Sequence, residues 1–200
     1  RCNPNNPTGE ALSREAMEAL LEDTLARGGR MLADEAFIDF CPECSLRRGL
    51  RPGLVITGSL TKSLCIPGVR LGYVLADAET IRTLAERALP WSLNMLAAAV
   101  CAALPEHLGE LEQDRVLNER RRARFAGMLQ ALGAKILPSR SNFLLADFGR
   151  DMTETAARLK RQGVLVRTCA SFGLGPNWLR LAVKRDEEND RLIFLLKDGR

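Results

Sequence analysis

The stretch Leu54-Val55-Ile56-Thr57-Gly58-Ser59-Leu60-Thr61-Lys62 decides the fold. Its apolar and β-branched first part predicts a buried strand from Leu54 to Thr57. Small and hydroxylated residues then lead to Lys62, which this pattern places at the carboxyl end of the strand. Open parallel sheets bind their ligands at that edge. A lysine shielded from water there can act as a nucleophile or form a Schiff base, whereas the simpler alternative is a surface loop lysine.

Two further short strands are predicted on either side of this stretch. The first, Arg30 to Ala33, runs into Asp34, and the second extends from Val69 to Leu75. Asp34 has no basic neighbour in sequence, so a buried carboxylate there requires a cation or a ring N–H. The alternative is an acid that caps a helix or lies on the surface.

Three arginines lie in or next to apolar strand patterns. They are Arg70, Arg167 and Arg180. A buried guanidinium must be paired, and carboxylate and phosphate are its natural bidentate partners. An internal ion pair with Asp or Glu is the alternative for each of them.

Composition excludes several classes of protein. The 200 residues are 46% hydrophobic and 27% charged, as expected for a globular chain, and the net charge of +4 is too small to indicate nucleic-acid binding. The sequence predicts neither a membrane span nor nucleic-acid binding by the arginine-rich run 118–124, which lacks interleaved aromatics. Only Cys41-Pro-Glu-Cys44 has metal-ligand spacing, and no second pair accompanies it, so we expect reduced cysteines and no metal.

Short strands alternating with helices predict a mostly parallel sheet covered on both faces. Ser13 and Gly28 bound a helix from Arg14 to Arg27. Its predicted buried stripe is Met17, Leu20, Leu21 and Leu25. Asp77 is expected to cap a second helix whose apolar residues are Ile81, Leu84, Ala85, Ala88 and Leu89. The apolar run from Asn94 to Leu104 predicts a buried helix.

A domain change is predicted near Pro105, which separates residues 1–104 from residues 105–200. The second part reads as a compact α+β unit. Its predicted elements are a long helix (Glu106 to Leu132), a strand (Asn142 to Ala146), a helix (Thr153 to Gln162), strands from Val164 to Arg167 and Leu179 to Val183, and a final helix (Asp186 to Lys197).

Four motifs occur in a fixed order along the chain. They are Asn3-Pro4-Asn5-Asn6-Pro7-Thr8-Gly9, Asp34-Glu35-Ala36-Phe37, Ser59-Leu60-Thr61-Lys62 and Gly68-Val69-Arg70-Leu71-Gly72-Tyr73. In this order they resemble the fold-type-I pyridoxal-phosphate enzymes of the class I/II aminotransferase superfamily. The resemblance covers all 200 residues. It implies an α/β fold comprising the later part of a PLP-binding large domain and a small C-terminal α+β domain, with an upstream part missing.

The resemblance also implies roles for individual residues. Lys62 would link to the aldehyde of pyridoxal 5'-phosphate, and Asp34 would keep the pyridinium nitrogen protonated. The residues implied to bind the cofactor are Asn6, Asp34, Ser59, Thr61, Lys62 and Arg70. The residues implied to bind the substrate are Asn6, Arg167 and Arg180, with Arg180 on the carboxylate and Arg167 near a phosphate.

Within the superfamily the sequence most resembles threonine-phosphate decarboxylases of cobalamin synthesis and histidinol-phosphate aminotransferases. Phe37, where many aminotransferases have a tyrosine, favours decarboxylation of L-threonine O-3-phosphate. Transamination of histidinol phosphate or a related amine is the alternative. A truncated, non-catalytic chain that only dimerises or binds ligand is a third possibility of another class. The reduced cysteines predict a cytoplasmic protein. The resemblance further implies a homodimer with its active site at the subunit interface and residues of the missing upstream part in that site, so this chain alone is expected to be inactive.

Overall fold

The computed structural model describes residues 1–198, which form two compact units. The first unit contains Arg1–Pro4 and Ala11–Arg115, and the second contains Asn5–Glu10 together with the chain from Val116 onwards. The short segment Asn5–Glu10 therefore belongs to a different unit from the residues on either side of it. The domain boundary expected near Pro105 stays a prediction.

The first unit combines a small sheet with helices and short 3-10 turns. Its helices and strands are α1 (Arg14–Ala26), β1 (Met31–Asp34), β2 (Leu54–Ser59), α2 (Leu60–Ser63), β3 (Gly72–Leu75), α3 (Ala78–Glu86) and α4 (Met95–Ala103). Its 3-10 turns are Ile38–Phe40, Pro42–Cys44, Arg47–Gly49, Pro67–Val69 and Leu104–His107. The helix α5 (Leu108–Ala131) begins in this unit and continues into the second.

The sheet of the first unit has the strand order β1-β2-β3. The strands β1 and β2 are parallel, with Asp34 opposite Thr57, and Cys2 extends the parallel pairing by a bridge to Asp34. The strand β3 is antiparallel to β2, with Tyr73 opposite Gly58. Because β1 and β2 run the same way, the residues that follow them emerge at one edge of the sheet.

Local signals explain where α1 begins and what it buries. The Ser13 hydroxyl accepts a hydrogen bond from the Ala16 N–H at 3.3 Å, as the predicted cap requires, and Gly28 follows the helix with a φ of +72°. Met17 and Leu21 are buried against the sheet, whereas Leu20 is 42% exposed and does not belong to the predicted stripe. The core of this unit consists of Met17, Leu21, Met31, Ala33, Leu46, Leu54 and Ile56.

The prediction of a buried helix over 94–104 was wrong. The helix α4 forms there, capped by Asn94, but Ala97 is its one buried residue and Met95 is 83% exposed. An apolar sequence predicts that the surface of a helix is buried, but it does not show that the surface packed against it belongs to the same chain. Ile81 and Leu84 of α3 are likewise partly exposed.

The second unit is an antiparallel sheet covered by helices. Besides the rest of α5, its elements are β4 (Lys135–Ile136), β5 (Phe143–Asp147), α6 (Thr153–Arg161), β6 (Arg167–Thr168), β7 (Trp178–Ala182) and α7 (Asp186–Lys197). The strand order is β4-β5-β7-β6. The two-residue strand β4 was not predicted, because it is too short to produce an alternating pattern. The strand predicted over 164–167 was wrong in its extent, since pairing begins only at Arg167.

The arginine-rich run on α5 is not wholly exposed. Arg122 is buried and donates to the Ser141 carbonyl at 3.2 Å. Arg124 forms ion pairs with Asp186 and Asp190 on α7. The guanidinium of Arg122 therefore contributes to the packing of the second unit and not to an exposed basic surface.

The core of the second unit lies between the sheet and its helices. Its thirteen buried members include Phe125 and Leu129 of α5, Leu144 of β5, Leu179 of β7 and Leu192 of α7. Contacts between elements far apart in sequence thus stabilise this unit. Among residues 1–198, none of the helices is long and apolar enough to cross a lipid bilayer.

Truncation of Leu129 to alanine is expected to destabilise the second unit by about 2–5 kcal/mol, because its fully buried side chain would leave a cavity in this core. Denaturant unfolding of the intact protein, followed by a signal from this unit, measures the loss. Gln130→Ala, at an exposed position of the same helix, is the control and should change stability by less than about 0.5 kcal/mol. Equal effects of the two variants would contradict the proposed packing of α5.

Candidate active site

Lys62 lies on the four-residue helix α2, directly after β2. Its side chain is half-buried, and its Nζ is 5.8 Å from the centroid of the Phe37 ring. Within residues 1–198 the ammonium group forms no hydrogen bond or ion pair with another residue. The amine is therefore available to react with a bound molecule.

Asp34 ends β1 at the same edge of the sheet. Its Oδ1 accepts a hydrogen bond from the Ala36 N–H at 3.0 Å, and its backbone is fixed by the Asn3 N–H, which donates to the Asp34 carbonyl at 2.9 Å. None of the described residues forms an ion pair with its carboxylate. A partly buried carboxylate without a cation can pair with a protonated ring nitrogen.

Three hydroxyl groups surround Lys62 in sequence. Ser59 Oγ lies 2.7 Å from Thr61 Oγ1, and Thr61 is buried. The hydroxyl of Ser63 is also buried and has no hydrogen-bond partner in the described chain. A buried hydroxyl group is costly without a partner, so this segment is chemically suited to accept a polar ligand. The sequence places Ser63 beside Lys62, but it was not predicted to be a site residue.

Arg70 is not in the strand predicted for it. It follows the 3-10 turn Pro67–Val69, precedes β3, and is exposed. Its backbone has a φ of +59°, and its Nη1 donates to the Pro67 carbonyl at 2.9 Å. Left-handed backbone at a residue other than glycine is uncommon and concentrates at ligand-binding positions. No described residue forms an ion pair with its guanidinium, which could therefore receive an anion.

The second unit holds the other predicted site residues. Arg167 on β6 and Arg180 on β7 are directly opposite each other in the antiparallel pair. Arg180 is half-buried, and its Nη1 donates to Asn6 Oδ1 at 2.6 Å. This contact joins residues 174 positions apart, so the segment containing Asn6 is part of the same site.

Aromatic rings hold these two guanidinium groups. The Arg180 guanidinium lies 4.8 Å from the centroid of Phe143, and Phe172 lies within 6 Å of both arginines. Arg167 also donates to the Ser171 hydroxyl at 3.0 Å. Cation–π contacts keep both cations in place without neutralising them. The sequence patterns did not predict Phe172, which follows β6 in a 3-10 turn.

The two arginines lack an anionic partner in the described chain, so the expected alternative of an internal ion pair with Asp or Glu was wrong for both. Burial, and secondarily the charge of Arg167, lower the pKa of Arg180. Like charges directly opposite each other on neighbouring strands destabilise a sheet. A bound anion would relieve this repulsion.

The family follows from a comparison of the whole sequence. The family model for class I and II aminotransferases matches residues 1–194. The chain belongs to this family. Members of the class I and II aminotransferase family depend on pyridoxal 5'-phosphate, which is therefore the cofactor here.

The family relatives carry two different activities. Over 200 residues the chain is 35% identical to histidinol-phosphate aminotransferase 2 of Pseudomonas aeruginosa, covering 97% of this chain and 53% of that protein. Over 203 residues it is 32% identical to the threonine-phosphate decarboxylase of Salmonella typhimurium, covering 98% of this chain and 56% of that protein. The chain spans about half the length of these curated relatives.

The fold also matches that of a solved structure, and this likeness supports the family assignment. The L-threonine-O-3-phosphate decarboxylase of Porphyromonas gingivalis superposes with a TM-score of 0.89 at 26% identity, covering 100% of this chain and 63% of that one. The fold class predicted from the four motifs, the fold-type-I PLP-dependent transferase fold, is thereby confirmed.

The residues of the first unit fit this cofactor chemically. Lys62 offers its aldehyde an amine that forms no hydrogen bond or ion pair with the described residues, and Asp34 offers its ring nitrogen a carboxylate that has no cation among them. The hydroxyl groups of Ser59 and Thr61 and the guanidinium of Arg70 are suitable ligands for its phosphate. Each of these assignments to single residues stays a prediction.

Proposed function

We propose that the protein containing this chain is a PLP-dependent enzyme that decarboxylates L-threonine O-3-phosphate to aminopropanol phosphate. The observation that carries the proposal is the cross-strand pair Arg167–Arg180, which has no acidic partner among residues 1–198. Two adjacent guanidinium groups suit a substrate with two anions, and this substrate has a carboxylate and a phosphate. The relationship to the Salmonella decarboxylase supports the same activity.

Three residues of the second unit would bind and orient the substrate. Arg180 binds the substrate carboxylate with its planar fork, and Arg167 binds the phosphate. Asn6 Oδ1 accepts a hydrogen bond from Arg180 and so orients that guanidinium. The side-chain N–H groups of Asn6 would then donate to the ring oxygen of the cofactor. The arginines thereby select which bond at the substrate's α-carbon is oriented for cleavage.

Lys62 and Asp34 would supply the proton chemistry. When bound, pyridoxal phosphate supplies an electron-accepting ring that stabilises negative charge at the α-carbon. Asp34 keeps the ring nitrogen protonated so that it can accept this charge. Lys62 would hold the cofactor through its amine before the substrate binds, and after carbon dioxide has left, the same amine would donate a proton to the α-carbon in its place.

Transamination of histidinol phosphate is the second candidate. The relationship to the Pseudomonas aminotransferase favours it, and it would use the same cofactor residues. In that reaction Lys62 removes a proton from the α-carbon, and the arginines bind the phosphate of the amine or the carboxylates of a keto acid. The third possibility, a chain without catalytic function, is disfavoured because neither Lys62 nor Asp34 forms an ion pair within residues 1–198.

The proposal also covers the oligomeric state of the protein, its location in the cell and its pathway. We propose a cytoplasmic homodimer acting in cobalamin biosynthesis. Exposed apolar side chains such as Trp91, at 95%, and Met95, at 83%, support burial of this surface in a larger assembly. The mass of the intact protein in solution, measured by light scattering, tests the dimer.

The reaction is tested on the intact protein loaded with pyridoxal phosphate. L-Threonine O-phosphate is added without any keto acid, and the release of carbon dioxide is followed over many turnovers. Sustained release is expected, because decarboxylation consumes no amino acceptor. No release with the cofactor absorbance intact, together with conversion of histidinol phosphate when a keto acid is present, would replace this proposal by transamination.

A further inference from the structure

One guanidinium group in the first unit joins three side chains from different segments. The Arg47 Nε lies 3.5 Å from Glu35 Oε2, and its Nη2 donates to Asp39 Oδ1 at 3.0 Å and to the hydroxyl of Tyr73. We propose that Arg47 is a positioning residue for the cofactor site, because it connects the strand end that carries Asp34 to the segment that carries Lys62. The inference rests on the function proposed above.

Glu35 connects Arg47 to Asp34. Its side chain is fully buried, and its carboxylate accepts hydrogen bonds from Ser45 Oγ at 2.7 Å and from the Leu46 N–H at 2.8 Å. Its own N–H donates to the Thr57 carbonyl at 2.8 Å, so its backbone continues the pairing of β1 with β2. A buried carboxylate requires a cation, which Arg47 provides. This contact fixes the residue that directly follows Asp34.

Tyr73 connects Arg47 to the Lys62 segment. It lies opposite Gly58 in the β2–β3 pair, and a Cβ atom added to Gly58 would overlap the ring carbon Cζ and the hydroxyl oxygen of Tyr73. The ring therefore covers the backbone of Gly58, which precedes Ser59 and α2. Burial raises the pKa of Tyr73 to about 12, although Arg47 opposes the shift, so the ring keeps its hydroxyl proton at neutral pH.

Arginine is the side chain that this arrangement requires. Its planar fork presents donors in two directions at once, and its guanidinium also lies 5.3 Å from the centroid of the Tyr73 ring. A lysine would keep a positive charge near Glu35 but could not reach both acids and the phenol. Small displacements of reacting groups are costly, so loosening this connection should weaken the site without removing any group that touches the cofactor.

The test compares Arg47→Lys and Tyr73→Phe with the control Arg48→Met in the intact protein. Arg48 is the next residue, is exposed, and forms no ion pair within residues 1–198. Apoprotein is titrated with pyridoxal phosphate, and the fraction of Lys62 that becomes labelled after borohydride reduction is measured by mass spectrometry. We expect Arg47→Lys to weaken cofactor binding by roughly 10- to 100-fold and Tyr73→Phe to weaken it less. Both should melt close to the parent, and Arg48→Met should behave as the parent.

Two outcomes are decisive. Binding and labelling of Arg47→Lys equal to those of Arg48→Met would overturn the inference, as would an Arg47→Lys defect explained entirely by unfolding while Tyr73→Phe binds normally. Failure of the proposed function itself has a different signature. In that case the unsubstituted protein would release no carbon dioxide from L-threonine O-phosphate, or would show no borohydride-dependent label on Lys62 if that residue does not attach the cofactor. Failure of the inference alone leaves both signals of the unsubstituted protein in place.

Discussion

Lys62→Ala is expected to remove the visible absorbance of the bound cofactor and to lower the rate of carbon dioxide release by roughly 100- to 10,000-fold. The physical reason is that this half-buried amine lies at the sheet edge that also holds Asp34 and forms no hydrogen bond or ion pair within the described residues. Its loss removes both the covalent link and the group proposed to carry the proton. Absorbance spectra of the purified variant and steady-state rates measure the two effects separately.

Two further variants distinguish loss of the reactive amine of Lys62 from loss of its positive charge. Lys62→Arg keeps a positive charge near Phe37 but cannot form the covalent link, so it should resemble Lys62→Ala in both measurements. Lys160→Ala removes an exposed lysine from α6 and should resemble the unsubstituted protein. Undiminished absorbance and turnover in Lys62→Ala would show that another group attaches the cofactor, and the active-site proposal would then be wrong.

Local sequence signals predicted most helix ends in this chain. Ser13 and Asp77 were expected to cap helices, and the structure shows each side chain accepting a hydrogen bond from the first turn. The final helix was predicted over the residues that form α7. Capping depends on residues within four positions of one another, so the sequence alone contains the information.

Burial and strand extent were harder to predict, because they depend on distant partners. The run 94–104 forms α4, but the apolar side chains of Met95 and Leu96 are exposed, since no described part of the chain covers them. The strand predicted from Val69 begins only at Gly72, where pairing with β2 becomes possible. Hydrophobic periodicity does not show where a hydrogen-bonding partner ends.

The residues of the candidate site also fall into those that a local signal predicts and those that depend on distant contacts. Asp34 was predicted because it lies at the end of an apolar strand pattern, and Lys62 because it closes the short segment after another; both are local signals. Glu35, Arg47 and Tyr73 were not predicted, since their contacts join residues 12 and 26 positions apart and no spacing rule connects them. Phe172 was missed for a related reason, because its function depends on two arginines that only the pairing of β6 and β7 brings together.

Arg180→Met is expected to lower kcat/KM for L-threonine O-phosphate by about 100-fold or more, equivalent to about 3 kcal/mol. Arg180 is half-buried, stacked on Phe143 and oriented by Asn6, so its fork is prepared for a carboxylate before the substrate arrives. Arg180→Lys keeps the charge but loses the fork, and we expect a loss of about 10-fold. Steady-state kinetics on the intact protein measure both variants, with exposed Arg161→Met as the control.

A substrate without phosphate separates the roles of the two arginines. L-Threonine retains the carboxylate that Arg180 is proposed to bind but lacks the group assigned to Arg167. Arg167→Met should therefore reduce the preference for the phosphorylated substrate, whereas Arg180→Met should impair both substrates by a similar factor. The contrary result is that Arg167→Met impairs turnover of both substrates equally and leaves the preference for the phosphorylated substrate unchanged. In that case the two arginines do not bind two separate anions, and the cross-strand pair no longer supports decarboxylation over transamination.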